Sequence, residues 1–227
     1  VGAVHVLRGR AGMPTGTGSS MVNGAKLRLT PSSLKSLGSN RSGRQAWLGW
    51  HLAIGDVTGD GINDVVAGAP GAKVSGKQGC GAIAVLRATA SGIAASRTQV
   101  RTQSTAHMVG VCHKGEYWGM QVAVGDLTGD GRAEVLVSSH NKTVKNHKHA
   151  GGYAVLPPAG TGVTGKGSFL VTQNTAHVPG NAETKDFFGA AFAVQDLNGD
   201  GRQDVVAGAT GERVGESYAG YTSFLLS

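Results

Sequence analysis

Asp56-Val57-Thr58-Gly59-Asp60-Gly61-Ile62-Asn63-Asp64 is the stretch on which the fold turns. It recurs as Asp126-Leu127-Thr128-Gly129-Asp130-Gly131-Arg132-Ala133-Glu134 and as Asp196-Leu197-Asn198-Gly199-Asp200-Gly201-Arg202-Gln203-Asp204, 70 residues apart each time. The register holds well beyond the loops. Residues 103–108 match 173–178, and Trp47-Leu48-Gly49, Tyr117-Trp118-Gly119 and Phe187-Phe188-Gly189 stand at equivalent places. A constant period of this kind marks a modular array in which each repeat is one supersecondary unit.

The unit is β. A short apolar run, residues 51–54, leads into the first acidic loop, and Val65-Val66-Ala67-Gly68-Ala69 leads out. Gly81-Ala82-Ile83-Ala84-Val85-Leu86 follows and recurs as Gly152-Tyr153-Ala154-Val155-Leu156, and residues 98–101 alternate as a fourth, edge-like strand. Short apolar runs bounded by Gly and Asp read as strands. Four strands per repeat make one propeller blade. A period of 70 is long for a blade, so extended surface loops are expected between strands. The chain divides into an N-terminal partial blade at 1–31 and blades at 32–106, 107–176 and 177–227, the last short of its final strand.

The loop pattern, Asp-x-(Thr/Asn)-Gly-Asp-Gly-x-x-(Asp/Glu), suits calcium, which takes six to eight oxygens. The candidate ligands are the side chains at positions 1, 3, 5 and 9 and the main-chain carbonyl at position 7. They are Asp56, Thr58, Asp60, Ile62 and Asp64; Asp126, Thr128, Asp130, Arg132 and Glu134; and Asp196, Asn198, Asp200, Arg202 and Asp204. An EF-hand would place its last acid at position 12, on a helix. Here that acid stands at position 9 and a Val-rich strand follows, so up to three strand-loop-strand calcium sites are expected. Their role is structural: clustered carboxylates repel each other unless a cation sits between them. The third loop is the best formed, and Glu134 makes the second the least regular.

The formal charge is +7, yet nine of the fourteen acids lie in these loops, leaving five elsewhere against 21 Lys and Arg. Calcium-filled loops would leave a basic surface, which favours acidic glycans or cell-surface polymers as partners, with nucleic acid ranked below them. No apolar run reaches the length of a membrane span. Residues 1–7 already read as a strand rather than a leader. Cys80 and Cys112 pair as one disulfide or remain two buried thiols.

These loops and strands resemble the FG-GAP repeats of integrin α-subunit propellers and their bacterial secreted relatives. Phe188-Gly189 is the "FG", and Ala67-Gly68-Ala69-Pro70 holds the "GAP". Gly208-Ala209-Thr210 departs by one residue, and Val137-Ser138-Ser139-His140 departs further. The resemblance implies one blade per repeat, calcium on the loop between the first two strands, and a secreted, extracellular setting. Family members usually carry about seven repeats, so three blades imply a ring completed by further copies, a homo-oligomer, or by another chain, or a sequence that is part of a larger molecule.

No nucleophile elbow, HExxH or Walker A is present. Glu183 with Asp186, and Glu212 with Glu216, read as loop acids rather than a glycosidase pair. His107 and His177 are equivalent and read as structural. His140, His147 and His149 lie with Lys142, Lys145 and Lys148 in one basic loop able to grip an anion or a transition metal. Trp47, Trp50 and Trp118 are either core or a sugar-stacking platform. The function expected is a non-catalytic calcium-binding module for adhesion, recognition or scaffolding. The alternatives are a lectin for acidic or cell-wall glycans and an accessory module of a secreted hydrolase.

Overall fold

The computed structural model describes residues 3–8, 15–23, 46–215 and 217–225. The expected junction at 31/32 and Glu216 fall outside them. Strand β1 (Ala3–Arg8) forms an antiparallel hairpin with β2 (Thr15–Asn23). The first blade then runs through β3 (Leu52–Gly55), β4 (Asp64–Ala69), β5 (Ala82–Leu86), a small hairpin of β6 (Ala88–Thr89) and β7 (Gly92–Ile93), and β8 (Gln99–Arg101). Its sheet order is β3-β4-β5-β8, antiparallel throughout.

The second blade repeats this plan. It contains β9 (Val122–Gly125), β10 (Glu134–Ser138), β11 (Tyr153–Leu156), the small hairpin β12 (Pro158–Ala159) and β13 (Gly162–Val163), and β14 (Phe169–Val171). The sheet order is β9-β10-β11-β14. The third contains β15 (Phe188–Gln195), β16 (Asp204–Ala209), the hairpin β17 (Arg213–Val214) and β18 (Ser217–Tyr218), and β19 (Tyr221–Leu225). Its sheet is three-stranded, β15-β16-β19. The architecture is all-β, three consecutive antiparallel blades, and no closed sheet forms among the described residues.

The blades pack face to face. Alternate residues of a strand point to opposite faces. Val135 and Val137 of β10 therefore join Val66, Ile83 and Val85 of the first blade, while Leu136 joins Val205 and Ala207 of the third. Both faces of β10 are covered, and its five residues are all buried. That is why these strands read as continuous apolar runs rather than as alternating ones. At the two ends of the array this cover thins. Leu52 and Ile54 of β3 are 45% and 64% exposed, whereas their equivalents Val122 and Val124 are buried and half-buried, and Phe224 of β19 is 63% exposed.

Each blade is sewn to the next by a seam at the same offset. The Tyr117 N–H donates to the Gly79 carbonyl at 2.8 Å, and the Phe187 N–H to that of His149 at 3.0 Å. Gly81 pairs with Trp118 and Gly151 with Phe188 in parallel bridges. A Cβ on Gly81 would lie 2.0 Å from the Trp118 carbonyl oxygen, so only glycine fits, and its φ of +89° is one that glycine adopts readily. Cys80 and Cys112 form a disulfide across the first seam, with Cα atoms 5.3 Å apart, packed on Val74. Ala150 and Ala182 hold the equivalent buried places in the second seam.

Trp118 needs a correction. It is fully buried in the core between the first two blades. It fills the inter-blade space and offers no face to a ligand, so the sugar-stacking alternative does not apply to it.

Candidate functional site

The three acidic loops join the first and second strands of each blade, and they fold alike. In the first, Asp56 Oδ1 accepts from the N–H groups of Gly59 at 2.7 Å and Asp60 at 3.2 Å, and Oδ2 accepts from Gly61 at 2.7 Å. Asp126 does the same with Gly129, Asp130 and Gly131 at 2.7, 3.2 and 2.8 Å. Asp196 takes Gly199 at 2.6 Å and Gly201 at 3.0 Å. The position-1 carboxylate thus closes its own loop. Gly61, Gly131 and Gly201 turn the chain at φ values of 79°, 81° and 88°. Burial raises the Asp56 carboxyl, but the donors from Gly61, Gly59, Asp60 and Thr58 outweigh it and hold the group below the ordinary range.

The position-9 acids are buried where the loop enters the second strand. Asp64 Oδ1 accepts from the Ala88 N–H at 2.9 Å. The residue 70 further on from Ala88 is Pro158, which has no N–H to give. Glu134 turns instead to the Leu127 N–H at 2.9 Å, and Asp204 to that of Leu197 at 2.9 Å. Burial raises the carboxyls of Asp64 and Glu134 above the usual range. In the first loop Asp64 Oδ2 and Thr58 Oγ1 are both buried without a hydrogen-bond partner, although Thr58 lies close enough to temper the Asp64 shift.

The position-5 aspartates face arginines. Asp130 pairs with Arg132 at 2.9 Å, Asp200 with Arg202 at 3.4 Å, and Asp60 with Arg87 at 3.7 Å. Asn198 donates to Asp200 at 3.1 Å. Among the described residues, no three His, Cys, Asp or Glu side chains converge in a way that would hold a metal ion. The donor types are still those that suit a hard cation: carboxylates, a hydroxyl or amide oxygen, and a main-chain carbonyl. The orphaned oxygens of Thr58 and Asp64 mark the first loop as the one with unused coordinating capacity.

The loops also touch one another. The Ala133 N–H donates to the Asp56 carbonyl and the Gln203 N–H to that of Asp126, both at 2.9 Å. A Cβ placed on Gly59 would meet the Arg132 stem, and one on Gly129 the Arg202 stem. Between the loops lies a cavity of about 400 Å³ bordered by Asp56, Asn63, Asp126, Ala133 and Gln203.

Residues 48–86, 118–155 and 188–225 each match the FG-GAP repeat, and together they make up half of the chain. The chain belongs to the FG-GAP repeat family. Among curated proteins it is similar to Integrin alpha pat-2 of Caenorhabditis elegans, with 30% identity over 174 residues. That match covers 71% of this chain and 12% of the integrin subunit, so the chain spans about an eighth of that protein's length. Each matched segment of this FG-GAP protein starts at the aromatic-glycine turn or within a residue of it and carries one acidic loop.

The remaining candidates sit at the seams. Trp47 stacks on Tyr117 at 5.8 Å between ring centroids and lies 5.5 Å from Trp50, which is 56% exposed. His140 and His149 flank Phe187 at 6.3 and 5.9 Å. Burial, and then the proximity of His149, lowers the His140 ring below its ordinary range. His147 sits in a short bridge with Val144, near enough to Asp186 to temper the shift of its carboxyl. Sequence reasoning missed Tyr117 as the stacking partner of Trp47. Its register with Trp47 and Phe187 was the available signal.

It also missed a buried ion pair, Lys142 with Glu116 at 3.4 Å. At the second seam the equivalent places hold Glu212 and Asp186. There Asp186 is buried, accepts from the Glu183 N–H, and is raised by burial and then by the charges of Glu212 and Glu183.

Proposed function

We propose that this chain is a calcium-stabilised, non-catalytic recognition module that works outside the cell. The observation that carries the reading is the set of three acidic loops closed by the same position-1 carboxylate, of which the first buries two oxygens, Asp64 Oδ2 and Thr58 Oγ1, that find no partner outside each other. A bound cation would satisfy them and offset the cost of burying Asp64 and Glu134 as anions. It would also require Asp60, Asp130 and Asp200 to turn from their arginines toward the ion. Extracellular calcium modules bind at about 10⁻⁴–10⁻³ M. Equilibrium dialysis against millimolar calcium tests this: one to three ions bound per chain supports the reading, and none overturns it.

The same reading assigns the exposed apolar residues at the two ends of the array. Leu52 and Ile54 at one end and Phe224 at the other would be covered by further blades, from copies of this chain, from another chain or from the rest of a longer protein. The similarity to an integrin subunit and the disulfide favour an extracellular setting. No helix among the described residues is long and apolar enough to cross a membrane. Light scattering of the protein in calcium should give a species heavier than one chain. A monomer whose Leu52 and Ile54 tolerate lysine without loss of stability would contradict the covered faces.

A further inference from the structure

The two seams between blades are built alike but differ in chemistry. At the first, the strip 77–81 runs beside 112–118, held by bonds from Gly115 to the Gln78 carbonyl at 3.1 Å and from Tyr117 to that of Gly79 at 2.8 Å. The Cys80–Cys112 disulfide locks the two strips together. This places the Tyr117 ring over Gly79, where a Cβ would approach it to 2.8 Å, and against Trp47, which in turn meets Trp50. Trp47 and Tyr117 both occupy the left-handed region, at φ 54°. Bulky residues rarely adopt that conformation, and the surrounding structure fixes the rings there.

Around the rings the charge is of one sign. Lys77, His113 and Lys114 are exposed, and Lys77 Nζ donates to the Cys112 carbonyl at 2.9 Å, which holds it beside the seam. The strips 46–51, 70–81 and 109–118 contain one acid, Glu116, which is buried and paired with Lys142. The second seam keeps the backbone bonds but changes these side chains. Met120 stands where the first has Trp50, and Phe187 lies against the imidazoles of His149 and His140 rather than on a tryptophan. Glu183 replaces His113, Thr184 replaces Lys114, and Glu212 replaces Lys142.

We propose that Trp47, Trp50 and Tyr117, with Lys77, His113 and Lys114, form a binding surface for an acidic polysaccharide. Trp50 is exposed and Trp47 and Tyr117 are half-buried behind it, so the cluster offers the open part of its apolar surface to the C–H faces of sugar rings. A cationic rim without exposed acid selects chains that carry carboxylate or sulfate and repels cationic ones. This inference rests on the recognition reading above and names the partner of one seam.

The test is binding of the intact, disulfide-bonded chain in calcium to polygalacturonate and to heparin. Neutral dextran and polyglutamate are the controls, and affinity is followed over a range of salt. The expected result is binding of at least one acidic polysaccharide and little of either control. The W50A/Y117A variant should weaken it tenfold or more. The K77A/K114A variant should weaken it and flatten its salt dependence. Trp50 is exposed, so W50A alone guards against a folding artefact, and its melting temperature should equal that of the parent.

Unchanged affinity in W50A/Y117A would mean diffuse charge attraction and would overturn the platform. Polyglutamate binding that is equally lost in W50A would assign the surface to an acidic peptide and overturn the glycan. No polysaccharide binding, with calcium uptake intact, would defeat this inference alone. Polysaccharide binding without calcium uptake would defeat the calcium reading alone.

Discussion

Replacing Ala150 and Ala182 by cysteine should install a second disulfide and stabilise the chain. Residues 150 and 182 stand 70 positions after Cys80 and Cys112, and all four are buried. The flanking backbone bonds repeat as well. Trp118 donates to the Cys80 carbonyl at 3.3 Å and Phe188 to that of Ala150 at 2.9 Å. The native pair has a Cα separation of 5.3 Å, in the middle of the range a disulfide accepts. The new bridge would close a loop of the same 32-residue separation. By chain entropy such a loop is worth about 3.7 kcal/mol at 25 °C, and strain in engineered bridges usually brings the gain to about 2–4 kcal/mol. The assay is denaturant unfolding of oxidised A150C/A182C, compared with its parent, together with a thiol count. Titratable thiols in the folded, oxidised sample, or an oxidised form no more stable than the parent, would refute the equivalence of the two seams.

Trp118→Ala should cost about 3–5 kcal/mol in the same assay, because it empties the largest side-chain volume between the first two blades, whereas Trp50→Ala should change stability by less than about 0.5 kcal/mol. Lys142→Met should cost about 3 kcal/mol by leaving Glu116 buried without its partner, and Glu212→Lys should stabilise the second seam by giving Asp186 the counter-ion that Glu116 already has. The Asp186 carboxyl is raised in the folded chain, first by burial. Its contribution to stability is therefore fully present below the unfolded value of about 3.9 and is lost as pH rises through the folded value. In calcium-free buffer Asp186→Asn should remove that part of the decline, seen as a flatter dependence of melting temperature on pH above about 4 than in the parent.

Much of the fold was legible because the repeat writes its strands three times. The first blade's four strands overlap the runs read at 51–54, 65–69, 81–86 and 98–101 to within a residue at each end, since short apolar runs between glycines leave little choice of element. The small hairpins β6–β7 and β12–β13 were not legible, as strands of two residues carry no periodicity. The acidic loops were found by pattern, but a pattern names donors without fixing rotamers. Whether Asp130 faces Arg132 or a cation depends on what is bound, and no spacing rule records it. Trp118 went unresolved between core and platform because a tryptophan at one position reads the same in either role. Its neighbour Tyr117, one residue earlier and therefore on the other side of the chain, is half-buried against Trp47. The buried Lys142–Glu116 pair joins residues 26 apart and becomes visible only once the seam is folded.

The most direct test of the account is differential scanning calorimetry of the chelator-stripped chain with and without calcium. At a free concentration ten times the dissociation constant, each site adds about 1.4 kcal/mol by linkage. Three sites would then raise the melting temperature by roughly 10 °C for a chain of this size. The account predicts that rise, reduced by about a third when Asp64 is replaced by asparagine. An unchanged melting temperature at about 10 mM calcium would show that the loops are closed by their own backbone donors alone, and would contradict calcium as the ion that organises the blades.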